Sequence, residues 1–124
     1  MTQRIQQELG SVNISQAVIA TVCGVAAMEC YGLVGMAPRN VSEGLSELLR
    51  IEAYERGVDV QSHEDSISVR LYIVVQYGVN ISEVARIVQE RVKYAIEHHL
   101  GLNAHSIDVR VQSVRVTSDS KQRK

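Results

Sequence analysis

The chain contains no phenylalanine and no tryptophan; its only aromatic residues are five tyrosines. A core without large flat rings must be filled by branched aliphatic side chains, and the sequence holds 19 valines and 10 isoleucines. These residues favour pleated strands, so a sheet with helices against it is expected. Proline occurs once, at Pro38, which excludes a proline-rich linker or repeat. An excess of one charge is also missing. Thirteen Lys and Arg stand against fourteen Asp and Glu, a net of −1, so no global field draws the chain to nucleic acid or anionic lipid. With 45% hydrophobic and 22% charged residues, the 124 residues form one domain's worth of globular chain rather than a disordered one.

Cysteine is scarce. Cys23 and Cys30 lie seven apart in a segment that reads as helix. Two helical turns separate them by about 10 Å, too far for a disulfide, so they are expected as buried free thiols in a reducing cytosol. Long apolar runs are lacking as well. Leu9 to Met28 carries no charge, but its dense apolar part, Ala17 to Ala27, is too short to span a bilayer and is interrupted by Thr21. The start lacks the basic stretch of an export signal, since Arg4 is offset by Glu8. The expected location is cytoplasmic, with no direct membrane insertion.

Along the chain, Arg4 to Leu9 and Gly10 to Ile14 read as extended, broken near Gly10. Val18, Ile19, Val22, Val25 and Ala26 keep helical spacing within Ser15 to Tyr31, closed by Gly32. Leu33 to Met36 reads as a brief buried apolar strand or turn, and Val41 to about Ile51 as a second, shorter helix. Gly57 to His63 alternates as a strand. After a polar turn, Ile67, Val69, Leu71, Ile73, Val75 and Tyr77 point one way, while Ser68, Arg70, Tyr72, Val74 and Gln76 point the other. The longest helix carries Ile81, Val84, Val88, Val92, Ala95 and Ile96 on one face, Leu100 near its end and Gly101 as its stop. Its other face pairs Arg86 with Glu90 and Lys93 with Glu97. The last strand uses Ile107, Val109 and Val111, then changes parity to Val114 and Val116, which calls for a bulge near Gln112–Ser113. The predicted fold is α+β. It is a single small domain over 1–116, in the order β-α-(β)-α-β-β-α-β, with a mixed sheet covered on one face by helices, followed by a polar tail, 117–124, expected to be disordered.

No cluster of reactive groups is evident. Asn13-Ile14-Ser15-Gln16, Asn40-Val41-Ser42-Glu43 and Asn80-Ile81-Ser82-Glu83 match a glycosylation pattern, yet each opens a predicted helix and reads as a cap. Of the four histidines, His98 and His99 are adjacent and point about 100° apart on a helix, a poor chelate. His63 and His105 would meet only by tertiary accident. The cysteines sit among Val, Ala and Met, which raises a thiol pKa instead of activating it. No catalytic, metal or cofactor site is predicted. Gly32-Leu33-Val34-Gly35 is literally GxxG, but only Arg39 lies close, and Tyr72 is the one aromatic on the polar face of its strand. Strong nucleic-acid binding is therefore not expected, and a weak RNA-binding module remains one alternative. Residues 1–65 carry nine acids and four bases, a net −5, and 66–124 carry five acids and nine bases, a net +4. If folding keeps these apart, opposite faces could favour self-association.

Several strings together resemble a known family. They are Gly10-Ser11-Val12-Asn13-Ile14-Ser15 with Val18-Ile19-Ala20, then Gly32-Leu33-Val34-Gly35-Met36 and Gly57-Val58-Asp59-Val60. Ile73-Val74-Val75-Gln76-Tyr77-Gly78-Val79-Asn80-Ile81 follows, with Val84, Val88-Gln89, Val92, Gly101-Leu102 and Val109-Arg110-Val111 to close. From about Gly10 to Val116 the chain resembles the alkaline shock protein (envelope stress response) family of Gram-positive bacteria, in its short YloU-type branch. The chain lacks the long charged tails of stress-induced members, and Leu100 stands where Thr is common. The resemblance implies a cytoplasmic, non-enzymatic scaffold of envelope homeostasis. Such a scaffold forms homo-oligomers and is held peripherally at the inner membrane by a small membrane-anchored partner. It implies, as an alternative, an accessory role to a dihydroxyacetone-kinase-like fatty-acid kinase. The candidate contact residues are Leu33, Val34, Met36, Arg39 and Tyr72, with the edge strands and the exposed face of the Glu83–Glu97 helix as further surfaces.

Overall fold

The structure, a computed structural model, describes residues 2–7, 9–38 and 51–116. Arg39, the cap at Asn40–Glu43, most of the predicted Val41–Ile51 helix and the tail 117–124 lie outside the described residues.

The chain opens with β1 (Thr2–Gln7) and β2 (Gly10–Ser15), an antiparallel pair running from Thr2↔Ser15 to Gln7↔Gly10. This hairpin forms its own two-stranded sheet, so the expectation of one sheet for all strands is corrected. The reason is local. Ser15 ends β2 and caps α1 (Gln16–Met28), its Oγ accepting the Val18 amide at 3.2 Å, so the strand is committed to the helix. The hairpin is anchored by Ile5 and Ile14 packing against the core. At the far end of α1 the chain reverses through Gly32, whose φ of +93° suits glycine and where a Cβ would stand 2.9 Å from Val84 Cγ2.

The main sheet is built around β5 (Ile67–Gln76). β6 (Ala104–Arg115) pairs with it in parallel over its whole length. The other edge is shared end to end by two antiparallel strands. β4 (Val58–Ser62) covers Ile67 to Leu71, and β3 (Leu33–Met36) covers Ile73 to Val75. A 3-10 helix, Ile51–Gly57, leads into β4. The parallel β5–β6 pair requires a crossover, supplied by α2 (Ile81–Tyr94). Asn80 Oδ1 accepts the Glu83 amide at 3.1 Å, the cap read from the sequence. Such a cap contributes about 1 kcal/mol.

The core lies between the helices and one face of the sheet. Ile67, Val69, Leu71, Ile73 and Val75 of β5 meet Ile19, Cys23 and Ala27 of α1 and Val84, Val88 and Val92 of α2, all buried. Each fully buried Val or Ile contributes about 1.5–3 kcal/mol relative to exposure. Two residues depart from the predicted alternation. Val74, assigned by parity to the polar face, is fully buried, and Tyr77 lies beyond the end of β5 and is exposed.

β6 skips one residue twice in its pairing. Ile67↔Ala104 is followed by Ser68↔Ser106, passing over His105, and Ile73↔Val111 by Val74↔Ser113, passing over Gln112. The second bulge is the one predicted from the parity change; the first was not foreseen. The long helix also differs from its reading as one α-helix to Leu100. It widens into a π turn over Ala95–His99, where the Leu100 amide bonds the Ala95 carbonyl at 3.2 Å. The wide turn carries Ala95 and Ile96 into the core.

Candidate functional site

The residues singled out from the sequence do not form one surface. β3 is already hydrogen-bonded to β5, and the Gln76 amide donates to the Gly32 carbonyl at 2.9 Å. Met36 is fully buried. A Cβ on Gly57 would stand 3.1 Å from Met36 Cβ and Cε, so this side chain fills the seam between β3 and the 3-10 helix. Met36 is apolar because it is core, and it presents no contact surface. Leu33, Val34 and Tyr72 are half-buried, and Arg39 lies outside the described residues.

Two other surfaces emerge. The first lies in the helix layer. α1 carries no charged residue from Gln16 to Met28, and its outward positions are mostly apolar: Val18 is 49% and Val25 42% exposed, with Thr21 the exposed polar residue between them. Thr21, Val22 and Val25 line a cavity of about 400 Å³, closed on its far side by Arg91 and Tyr94 of α2 and by His99 of the π turn. Arg91 Nη1 reaches Glu29 Oε1 at 3.4 Å across the cavity's polar margin. Tyr94 is held by two imidazoles. The His98 ring stacks on it with centroids 4.2 Å apart, and the His99 ring meets it edge-on at 5.7 Å. A smaller hollow of about 240 Å³, over Ala17, Val18, Thr21 and Val22, continues the apolar stripe along α1. A continuous apolar groove with polar margins is suited to a protein partner.

The second surface is polar and lies on the face of the sheet away from the helices. His63 and His105, which sequence reading left to chance, meet there with ring centroids 5.2 Å apart. Two features bring them together. The β4–β5 turn is closed by the His63 amide on the Ser66 carbonyl at 2.8 Å, and His105 is the residue passed over in the first bulge of β6. Asn103 Nδ2 ties β6 to the same turn by donating to the Asp65 carbonyl at 3.1 Å. His63 Nε2 and Ser68 Oγ are 2.8 Å apart. Beside them Asp108 Oδ2 accepts from Arg70 Nε at 2.9 Å and from Arg110 Nε at 3.1 Å. Desolvation would raise the Asp108 pKa, but the Arg110 and Arg70 hydrogen bonds outweigh it and hold the carboxyl below its usual range. Tyr72 and then Asp108 hold the Arg70 guanidinium above its usual value. These groups frame a hollow of about 200 Å³. Among the described residues no three His, Cys, Asp or Glu side chains are placed to share a metal ion.

The cysteines are buried and unpaired, as the sequence implied. Burial pushes the Cys23 thiol up to about 12 and also raises that of Cys30. Neither has the thiolate character of a nucleophile at neutral pH.

Comparison with known proteins adds the family context. Residues 4–116 match the family model of alkaline shock proteins, described as having a cell envelope-related function. The chain is 45% identical to the uncharacterized protein YloU of Bacillus subtilis, over 95% of this chain and 99% of that one. It is 44% identical to an uncharacterized protein of Streptococcus pyogenes, over 97% of this chain and all of that one. It is 29% identical to the uncharacterized protein YqhY of Bacillus subtilis, over 92% and 84%. No solved structure matches.

Proposed function

Because the chain belongs to the alkaline shock protein family, whose function is cell envelope-related, we propose that it is a non-enzymatic scaffold at the cytoplasmic face of the membrane. It acts by associating with itself and by binding a small membrane-anchored partner. The observation that carries this reading is the uncharged apolar groove along α1, rimmed by Tyr94, His99 and the Arg91–Glu29 pair. Exposed valines on a helix with no charge are costly in water and gain by being covered. No helix among the described residues is long and apolar enough to cross a membrane, and in this reading the partner supplies the attachment. Val34 of β3, half-buried, is the alternative contact residue.

The test compares Val25→Glu with Val34→Asp in the full chain. Cell fractionation and cross-linking should show Val25→Glu released from the membrane fraction with its melting temperature little changed, since Val25 is already half-exposed. Retention of Val25→Glu at the membrane, with its partner cross-link intact, would refute the groove. Loss with Val34→Asp alone would move the site to the β3 segment. Recovery of a dihydroxyacetone-kinase-like enzyme in place of a membrane protein would favour the accessory role.

A further inference from the structure

The outer edge of β6 has no strand beside it among the described residues: ten of its twelve residues pair with β5, and on one side only. Natural edges are usually blunted by lysine, proline or inward charge. Between Ala104 and Arg115 there is neither lysine nor proline, and the helix-facing positions Ile107, Val109 and Val111 are apolar.

The bulges decide which backbone groups this edge presents. The Asn103 carbonyl accepts the Ile67 amide at 2.9 Å, and the Arg115 carbonyl accepts the Tyr77 amide at 3.0 Å. At both ends, then, odd-numbered residues bond to β5. The skip at His105 switches the bonding parity to even, and the skip at Gln112 switches it back. Through the middle, Ile107, Val109 and Val111 therefore turn their N–H and C=O groups outward. The Ile107 carbonyl confirms the switch: it is met not by β5 but by Gln89 Nε2 of α2, at 2.9 Å.

We propose that this edge pairs antiparallel with the same edge of a second copy, about a two-fold axis at Val109. The proposal rests on the self-association read above and names its surface. Charge selects both the partner and the register. With the axis at Val109, Asp108 lies opposite Arg110 of the other copy and Arg110 opposite its Asp108. Ile107 then faces Val111 and Val109 faces Val109, so the apolar layer under α2 continues across the junction. Only even shifts keep the outward groups in bonding phase. Centring on Asp108 sets two carboxylates opposite each other, and centring on Arg110 sets two guanidiniums. The edge is self-complementary in one register and repulsive in the two next to it, as an isologous interface requires. Asp108 is already bonded to Arg70 and Arg110 of its own chain with its side chain 44% exposed, so it is oriented and accessible at this edge.

Sedimentation velocity on the full chain from micromolar to millimolar concentration tests the assignment. The wild type should form a dimer. Val109→Pro removes an outward N–H that β5 does not use, and it should be monomeric over the same range with its circular dichroism unchanged. Asp108→Arg and Arg110→Asp should each raise the dimer dissociation constant on the order of tenfold or more. Mixed, the two variants restore both opposite-charge pairs and should form a heterodimer near wild-type affinity. This holds the test in place if Val109→Pro fails to fold. A Val109→Pro dimer as tight as wild type would leave self-association standing on another surface and overturn this one. A wild type that stays monomeric throughout would overturn both, and a mixture that fails to recover would overturn the register.

Discussion

Gly24 of α1 lies so close to Tyr54 that a Cβ built on it would stand 2.9 Å from the tyrosine Cβ and 3.5 Å from its carbonyl oxygen. This contact seats the 3-10 helix Ile51–Gly57 on the helix layer. It also explains why α1 is built from small residues on that side, with Ala20, Cys23, Gly24 and Ala27 all buried. Gly24→Ala should gain about 1 kcal/mol of helix propensity and lose about 1–3 kcal/mol to overpacking, for a net loss of stability. Urea denaturation decides the matter. A midpoint that rises in Gly24→Ala would mean that Tyr54 can withdraw at little cost.

Asp108 gives the acid limb of stability a specific origin. Its folded pKa is depressed, so its contribution is present above the unfolded value of 3.8 and disappears as pH falls through the lower folded value. Asp108→Asn should remove that part of the pH dependence. The difference between wild type and variant, measured by urea denaturation from pH 6 to pH 2, should shrink toward low pH. Because both arginine side chains are about half exposed, the difference should also shrink in high salt. Parallel pH curves for the two proteins would show that the carboxylate is not held by these arginines.

Cys23 sets a limit at the alkaline end. Its thiol stays protonated in the folded chain up to about 12, against an ordinary value of 9.0. Between those values only the unfolded chain gives up the proton, so folding is progressively disfavoured as pH rises above about 9. Cys23→Ala should lack this alkaline loss, though it leaves a small cavity and lowers stability at pH 7. The thiol should also resist aromatic disulfide reagents in native buffer and react once the chain is unfolded. Rapid native labelling of Cys23 would contradict its burial.

The strands, both described helices, their caps and the Gln112 bulge were legible because each leaves a local periodic trace. Alternation from Ile67 to Val75 needs no tertiary information, and neither does Asn80 three residues before Glu83. What escaped depends on packing partners. Met36, in a segment that reads as buried, still stands among the contact candidates because its cover, Gly57, lies 21 positions later. Val74 has the parity of a solvent residue and is buried nonetheless. The hairpin of β1 and β2 has the pattern of ordinary strands, and no pattern states which sheet a strand joins. His63 and His105 are brought together by a turn and an extra residue in β6, neither marked by residue type. The groove was hidden in a similar way. An uncharged helix reads as wholly buried until the structure shows which of its sides has no cover.

The π turn at Ala95–His99 is, in helical terms, one amino acid more than the chain needs to reach Leu100. Deleting a residue there would let the helix close in ordinary α geometry, yet every side chain beyond the deletion would swing by about 100°. His98 and His99 would leave the two sides of Tyr94, and the aromatic rim above Val22 and Val25 would come apart while the hydrogen-bonded backbone remained whole. The insertion thus separates two requirements that a regular helix ties together, anchoring Ile96 inward and steering an imidazole toward the neighbouring helix. Length variation at this point in related chains would be a direct record of whether that rim is kept.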